Sequence, residues 1–188
     1  MKTVGVLALQ GCVGPHRPHL ERLGARMVEV RTAEELASVD GLILPGGEST
    51  AMLHLLATYG LDQPLSAALA RLPTWGVCAG LVLLARELEA PAGPTSGRQR
   101  SFGGLDVTVR RNGYGRQLDS FEAPVAGGRA PFIRAPLVTR VGPGVEVLAE
   151  HRGAPVWLRA GRVMATAFHP ELGSPCPSLP HREFVATL

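Results

Sequence analysis

Thr74-Trp75-Gly76-Val77-Cys78-Ala79-Gly80-Leu81-Val82-Leu83-Leu84 reads as a short buried strand, one cysteine and the start of a helix. Thr74–Val77 is the strand and Leu81–Leu88 has helical character, so the chain must turn sharply at Cys78. Gly-x-Cys-x-Gly is the spacing of a nucleophile elbow, in which flanking glycines relieve the crowding around a strained, outward-held reactive side chain. A thiol at a helix N-terminus feels the positive end of the helix dipole, which favours the attacking thiolate. The backbone N–H of Ala79 points into the same space and is a candidate oxyanion donor. Taken alone, the motif also fits a small buried core cysteine.

Outward from this turn, short apolar runs alternate with helical patterns, as expected of parallel strands joined by crossover helices. Val4–Leu9 is a buried strand; a helix covers His19–Leu23 and closes at Gly24; Arg26–Arg31 is a second strand. Thr32-Ala33-Glu34-Glu35 has capping-box spacing and should start a short helix. Gly41–Leu44 is a third strand broken by Pro45-Gly46-Gly47, with helices at Ser49–Tyr59 and Pro64–Arg71. Ala90–Gly104, rich in Pro, Gly, Ser and Arg without apolar period, reads as a loop too short to separate domains. Beyond it, Leu105–Arg110, Val145–Glu150, Val156–Arg159 and Val163–Phe168 read as strands divided by Gly and Pro turns, which suits an antiparallel extension of the sheet. The expected fold is α/β, a mostly parallel open sheet flanked by helices with an antiparallel extension, in one domain spanning residues 1–188.

Composition narrows the function classes. The 188 residues are 45% hydrophobic and 19% charged, the balance of a globular chain. No apolar run approaches the ~20 residues of a membrane span, and no signal-peptide pattern opens the chain, so a cytoplasmic location is expected. Cys12, Cys78 and Cys176 form neither metal-ligand spacing nor a disulfide framework. The net charge is +3, and Arg98, Arg100, Arg110, Arg111 and Arg116 crowd one stretch. No aromatic residues interleave with them as a single-strand binder requires, so solvated surface is expected and nucleic acid is not.

Two further motifs carry chemistry. His169-Pro170-Glu171 follows directly on a strand, and proline disfavours the helical region for the residue before it. In an extended segment His169 and Glu171 point the same way, so the carboxylate can accept one imidazole N–H and leave the other nitrogen for a thiol. His16, His19, His54, His151 and His181 lack such a context and read as ordinary. Pro45-Gly46-Gly47-Glu48-Ser49-Thr50 lacks the Gly-Lys-Ser/Thr ending of a phosphate loop. It places backbone N–H groups at the carboxyl edge of the sheet, where ligands sit, or is a plain turn into a helix capped by Ser49.

With these residues in place, the chain resembles the class I glutamine amidotransferases, with their flavodoxin-like three-layer fold. The elbow and His-Pro-Glu match the broad class. Within it the chain is similar to the glutaminase subunits of pyridoxal 5′-phosphate synthase, through Gly5-Val6-Leu7-Ala8-Leu9-Gln10-Gly11, Leu44–Thr50, Arg111–Gln117, Asp119–Ala123 and Phe132-Ile133-Arg134-Ala135-Pro136. The resemblance implies hydrolysis of L-glutamine to glutamate and ammonia, with Cys78 as nucleophile, His169 as base and acid, and Glu171 as its orienting partner. Gly47, Glu48, Ser49, Arg111, Ile133 and Arg134 would bind glutamine, and Gly47 would add an oxyanion N–H to that of Ala79. It further implies a partner, the large subunit of pyridoxal 5′-phosphate synthase, to which ammonia is channelled, and no metal or organic cofactor in this chain. Rival readings are a class I glutaminase of another pathway and a catalytically silent scaffold subunit.

Overall fold

The computed structural model describes residues 1–89, 99–114 and 120–188. Its elements are β1 (Thr3–Leu7), α1 (His16–Arg22), β2 (Arg26–Val30), α2 (Ala33–Ala37), β3 (Gly41–Leu44), α3 (Ser49–Thr58), α4 (Asp62–Arg71), β4 (Thr74–Val77), α5 (Ala79–Leu84), β5 (Ala85–Leu88), β6 (Leu105–Arg110), β7 (Phe121–Val125), β8 (Gly128–Phe132), β9 (Leu137–Val141), β10 (Glu146–His151), β11 (Ala154–Ala160), β12 (Val163–Thr166) and α6 (Leu179–Ala186). β1, β3, β4 and β12 are buried at every position, as expected of apolar strands covered on both faces. They form the middle of a seven-stranded sheet ordered β10-β11-β12-β4-β3-β1-β2. The five strands from β12 to β2 are parallel; β10 and β11 extend the sheet antiparallel, with Trp157 opposite Thr166.

Alternation along β4 assigns its two faces. Gly76 lies against Gly80 and Leu84 of α5, whereas Trp75 packs against His181 and Phe184 of α6, so these helices cover opposite faces. The expected mostly parallel sheet flanked by helices is therefore present, and the Thr32–Glu35 capping box forms with both of its hydrogen bonds.

Three departures from the sequence reading have identifiable causes. Helix α5 stops at Leu84, and Ala85–Leu88, expected as helix, is strand β5, paired with Leu105, Thr108 and Val109 of β6. The pairing overrides the good helix propensity of Ala-Arg-Glu-Leu. Helix α1 begins at His16 rather than His19. Pro18 is tolerated because it occupies the first turn, where an N–H has no intrahelical acceptor. The hairpin β7–β8 was hidden by Pro124 and Pro131, one in each strand of a two-stranded sheet. Its turn residues Ala126 and Gly127 both have positive φ, 52° and 71°, the pattern of a type I′ turn. Strand β9 and helix α6 were also not read from sequence. Most of the expected Ala90–Gly104 loop, residues 90–98, lies outside the described residues, as do residues 115–119 of the Arg111–Ala123 motif region.

Helix α6 is held by histidines rather than by aliphatic packing alone. His181 stacks on His19 at 4.1 Å and meets Trp75 edge-on at 4.8 Å. Its Nε2 lies 2.9 Å from His16 Nδ1 and its Nδ1 2.7 Å from Ser178 Oγ, while Ser178 N–H donates to His19 Nδ1 at 3.0 Å. The sequence reading set His16, His19 and His181 aside as ordinary, but all three are buried and joined from opposite ends of the chain. Among the described residues, no helix is long and apolar enough to cross a membrane.

Two expectations follow. Burial pushes His16 down to about 4 and lowers His19 and His181 from the ordinary 6.5. The unfolded chain therefore binds protons that the folded chain refuses. Stability from this cluster is complete above about pH 6.5 and is lost as the pH falls toward about 4. Urea midpoints measured across that window should drop for the wild type and drop less for His16→Asn; parallel curves would contradict the assignment. Separately, a methyl at Gly80 would run into the Leu44 carbonyl. Gly80→Ala should cost about 1–3 kcal/mol in urea unfolding, and an unchanged midpoint would show that the close approach is slack.

Candidate active site

The carboxyl ends of β1, β3, β4 and β12 converge on one cavity of about 260 Å³. Its lining includes Gln10 and Cys12 after β1, Gly46–Ser49 after β3, Cys78 and Ala79 after β4, and His169 after β12. Ligands of open α/β sheets bind at this edge, where the strand order reverses direction around β1. Arg111, Asn112, Ile133, Arg134 and Pro136 close the opposite side. The volume lies just under the ~300–1,000 Å³ of drug-sized sites, in keeping with a ligand the size of one amino acid.

Cys78 sits between β4 and α5 with φ 48° and ψ −99°, a conformation costly for a residue with a Cβ. Two close approaches enforce it: Gly76 has the Gly80 carbonyl carbon 2.6 Å from where a Cβ would be, and Gly80 lies against the Leu44 backbone. The result is a thiol 6% exposed, lining the cavity, with Sγ donating to Ile133 O at 3.7 Å. Ala79 is the first residue of α5, so its N–H is one of the helix's unpaired leading donors.

His169 leaves β12 with its own N–H donating to Pro131 O at 2.9 Å, so the hairpin missed in the sequence is what fixes it. Gly46 lies flat against the imidazole; any side chain there would strike the ring. Nδ1–H donates to Glu171 Oε1 at 2.7 Å, since an ionised carboxylate can only accept. That leaves Nε2 for the thiol. The route to this pairing differs from the expected extended segment: Pro170–Leu172 forms a 3₁₀ turn closed by Leu172 N–H to His169 O, which folds Glu171 back onto the ring. Burial lowers the imidazole's proton affinity, but coupling to Cys78 and Glu171 outweighs it and raises His169 to about 10. Glu171 is 4% exposed; burial favours its protonated form, and the hydrogen bond and charge of His169 overcome this to hold it below the ordinary range.

The Pro45–Thr50 turn forms the far wall. Glu48, not Ser49, occupies the N-cap position of α3, and Ser49 as first helical residue turns its hydroxyl to Gln99 Oε1 at 3.2 Å. Glu48 pairs with Arg111 at 2.7 Å and with Arg134 at 3.5 Å, so two cations share one carboxylate and leave a local excess of positive charge. Gly47 is wedged against the Gln10 side chain, with Met52 Cε 2.8 Å from a would-be Cβ. Every residue singled out in the sequence, Cys78, His169, Glu171, Gly47, Glu48, Ser49, Arg111, Ile133, Arg134 and Ala79, lies in this cavity or directly behind it.

Sequence reasoning missed Gln10, Cys12 and Asn112 as site residues. Gln10 Oε1 accepts the Glu48 N–H at 2.9 Å and so sets the turn. Cys12 shares the cavity, but burial first, and then the Glu171 charge, push its thiol up to about 12, which keeps it protonated. Asn112, at φ 51°, turns the chain after β6. Only Gln10 had a usable signal, its position three residues beyond a buried strand end. Of the crowded arginines, Arg100 pairs with Asp62, Arg110 with Glu89 and Arg111 with Glu48, while Arg98 and Arg116 lie outside the described residues.

The chain matches the model of the SNO glutamine amidotransferase family over residues 6–181. It is 52% identical to the pyridoxal 5′-phosphate synthase subunit PdxT of Mycolicibacterium vanbaalenii over 98% of this chain and 97% of that protein. With the PdxT subunit of Deinococcus radiodurans it shares 52% identity over 90% of each. A solved glutamine amidotransferase superposes with a TM-score of 0.85 at 41% identity, covering 97% of both chains. The PurLQS structure from Thermotoga maritima shares the fold at a TM-score of 0.66 and 14% identity over 99% of this chain and 98% of that one. Sequence blocks that frame the cavity, a matching fold and near-complete coverage agree, and the chain belongs to the SNO glutamine amidotransferase family.

Proposed function

We propose that this chain is the glutaminase subunit of a pyridoxal 5′-phosphate synthase, acting as one glutamine amidotransferase domain in the cytoplasm. The observation that carries the reading is the cavity's two-ended chemistry: Cys78, His169 and Glu171 at one end, Glu48, Arg111 and Arg134 at the other. A glutamine side chain reaching the thiol leaves its α-carboxylate near the excess arginine charge and its α-ammonium near Glu48. Gly47, Ser49 and Ile133 line the space between.

In this mechanism the Cys78 thiolate attacks the carboxamide carbon, and the N–H groups of Ala79 and Gly47 receive the developing oxyanion. The His169 imidazolium, favoured by Glu171, gives its proton to the departing nitrogen, and ammonia leaves as the C–N bond breaks. His169, now neutral, takes a proton from water, whose oxygen attacks the γ-glutamyl thioester; glutamate is released and the thiol restored. No metal or organic cofactor takes part. Ammonia is lost by protonation in bulk water, so a sealed path to a synthase subunit is required. The PdxT relatives support a large pyridoxal 5′-phosphate synthase subunit as that partner.

Ammonia release from glutamine should be measured on the chain alone and mixed with that large subunit. Release that rises on mixing and vanishes in Cys78→Ala is expected. Turnover indifferent to the partner would point to a glutaminase of another pathway, and no turnover in either to a silent scaffold. Glu171→Gln should retain more activity than Cys78→Ala, because an amide can still accept the imidazole N–H; equal loss would refute the orienting role. Arg111→Ala should raise KM for glutamine by about 10–100-fold, the worth of a charge-assisted hydrogen bond, with a smaller change in kcat. An unaltered KM would remove Arg111 from the substrate site.

A further inference from the structure

Ser49 is held from behind by a residue that the mechanism above does not use. It lines the cavity, is 3% exposed, and its hydroxyl donates to Gln99 Oε1 at 3.2 Å. Gln99 opens the short segment that leads into β6, and the next residues clamp that segment to the helices. Arg100 pairs with Asp62 in the first turn of α4, and its guanidinium lies 5.2 Å over the Phe102 ring. Phe102 N–H donates to Leu83 O of α5 at 2.7 Å. The carboxamide is thus brought to the first residue of α3 by a part of the chain fifty residues away.

Donor counting gives this contact a meaning for the ligand. A hydroxyl has one proton and two lone pairs, so with its proton given to Gln99 the Ser49 oxygen meets a ligand only as an acceptor. An acceptor is what the amino-acid end of the cavity lacks. An α-ammonium brings three N–H donors, and the Glu48 carboxylate beside it already accepts from Thr50 Oγ1 at 3.0 Å and from Arg111 at 2.7 Å, with Arg134 at 3.5 Å. Those two arginines serve a carboxylate without further help. Gln99 Nε2 is buried without a hydrogen-bond partner among the described residues. A reversed amide would pair it with Ser49 and aim the hydroxyl proton into the cavity, toward the ligand's carboxylate rather than its ammonium. The two directions therefore make different demands on the ligand.

We infer that Gln99 is a positioning residue that sets substrate specificity: it turns the Ser49 hydroxyl proton away from the cavity, so that the oxygen accepts an N–H of the substrate's α-ammonium. The site thereby selects a free α-amino group over analogues of glutamine that lack it. The inference rests on the proposed function, with the amino-acid end of glutamine at Glu48. Gln99 acts only through Ser49.

The test measures ammonia release by the complex with the large subunit, with glutaramate as competitor. Glutaramate keeps the carboxylate and the carboxamide of glutamine and has hydrogen in place of the ammonium. Gln99→Met, of similar length but without the amide, should raise KM for glutamine about tenfold, the low end of the worth of a hydrogen bond to a charged group, with kcat little changed and the Ki of glutaramate unaltered. Gln99→Glu, an acceptor of the same shape, should bring KM back to within about twofold of the wild type. In a Ser49→Ala background Gln99→Met should add nothing, because its route to the substrate is gone. If Gln99→Met does not fold, Gln99→Asn withdraws the acceptor by one methylene and should give the same tenfold loss. Equal losses for glutamine and glutaramate would show that Ser49 serves the carboxylate and would overturn the inference. So would an unchanged KM, no recovery in Gln99→Glu, or a further loss on top of Ser49→Ala. Failure of the proposed function is told apart by the wild type and Cys78→Ala alone, through absent release in the first or persistent release in the second.

Discussion

The backbone turn at Cys78 is the constraint on which the rest of the structure depends. A residue with a Cβ at φ 48° and ψ −99° persists only if its neighbours leave no alternative. Gly76 and Gly80 give up their side chains so that β4, α5 and the end of β3 can approach to backbone contact. The strain is offset by the buried parallel strands on either side and by α5, whose every residue is buried. The turn leaves the thiol at the one place where it lines the cavity, at the leading end of a helix.

Electrostatics then divides the cavity. At the elbow end, Glu171 and His169 are both deeply buried, and each is kept charged by the other against the desolvation that would neutralise it alone. At the far end, Glu48 is shared by two arginines, so the wall attracts a carboxylate without losing the means to balance an ammonium. Cys12, which lines the same cavity, is pushed toward the protonated form by burial first and then by the Glu171 charge.

Support for that carboxylate comes from three directions. The 3₁₀ turn folds it onto His169, the β7–β8 hairpin holds the backbone of His169, and His19 of α1 meets the Glu171 carbonyl at 3.3 Å. Helix α6 thus joins the core through His181, which stacks on His19 and meets Trp75 edge-on.

The sequence by itself determined what local rules can see. Uninterrupted apolar runs marked β1, β3, β4 and β12, the Thr32–Glu35 spacing marked a cap, and Gly-x-Cys-x-Gly and His-Pro-Glu marked the reacting residues, because each is read within a few positions. Only the tertiary structure decided where pairing partners lie far apart. Ala85–Leu88 became a strand because β6 was there to bond it, and the proline-bearing β7 and β8 found each other across a tight turn. His16 and His181, 165 residues apart, looked ordinary because a lone histidine reveals nothing about what it will face once buried. Gln10 and Cys12 entered the site for the same reason: strand order, not sequence neighbourhood, brings the end of β1 beside the end of β3.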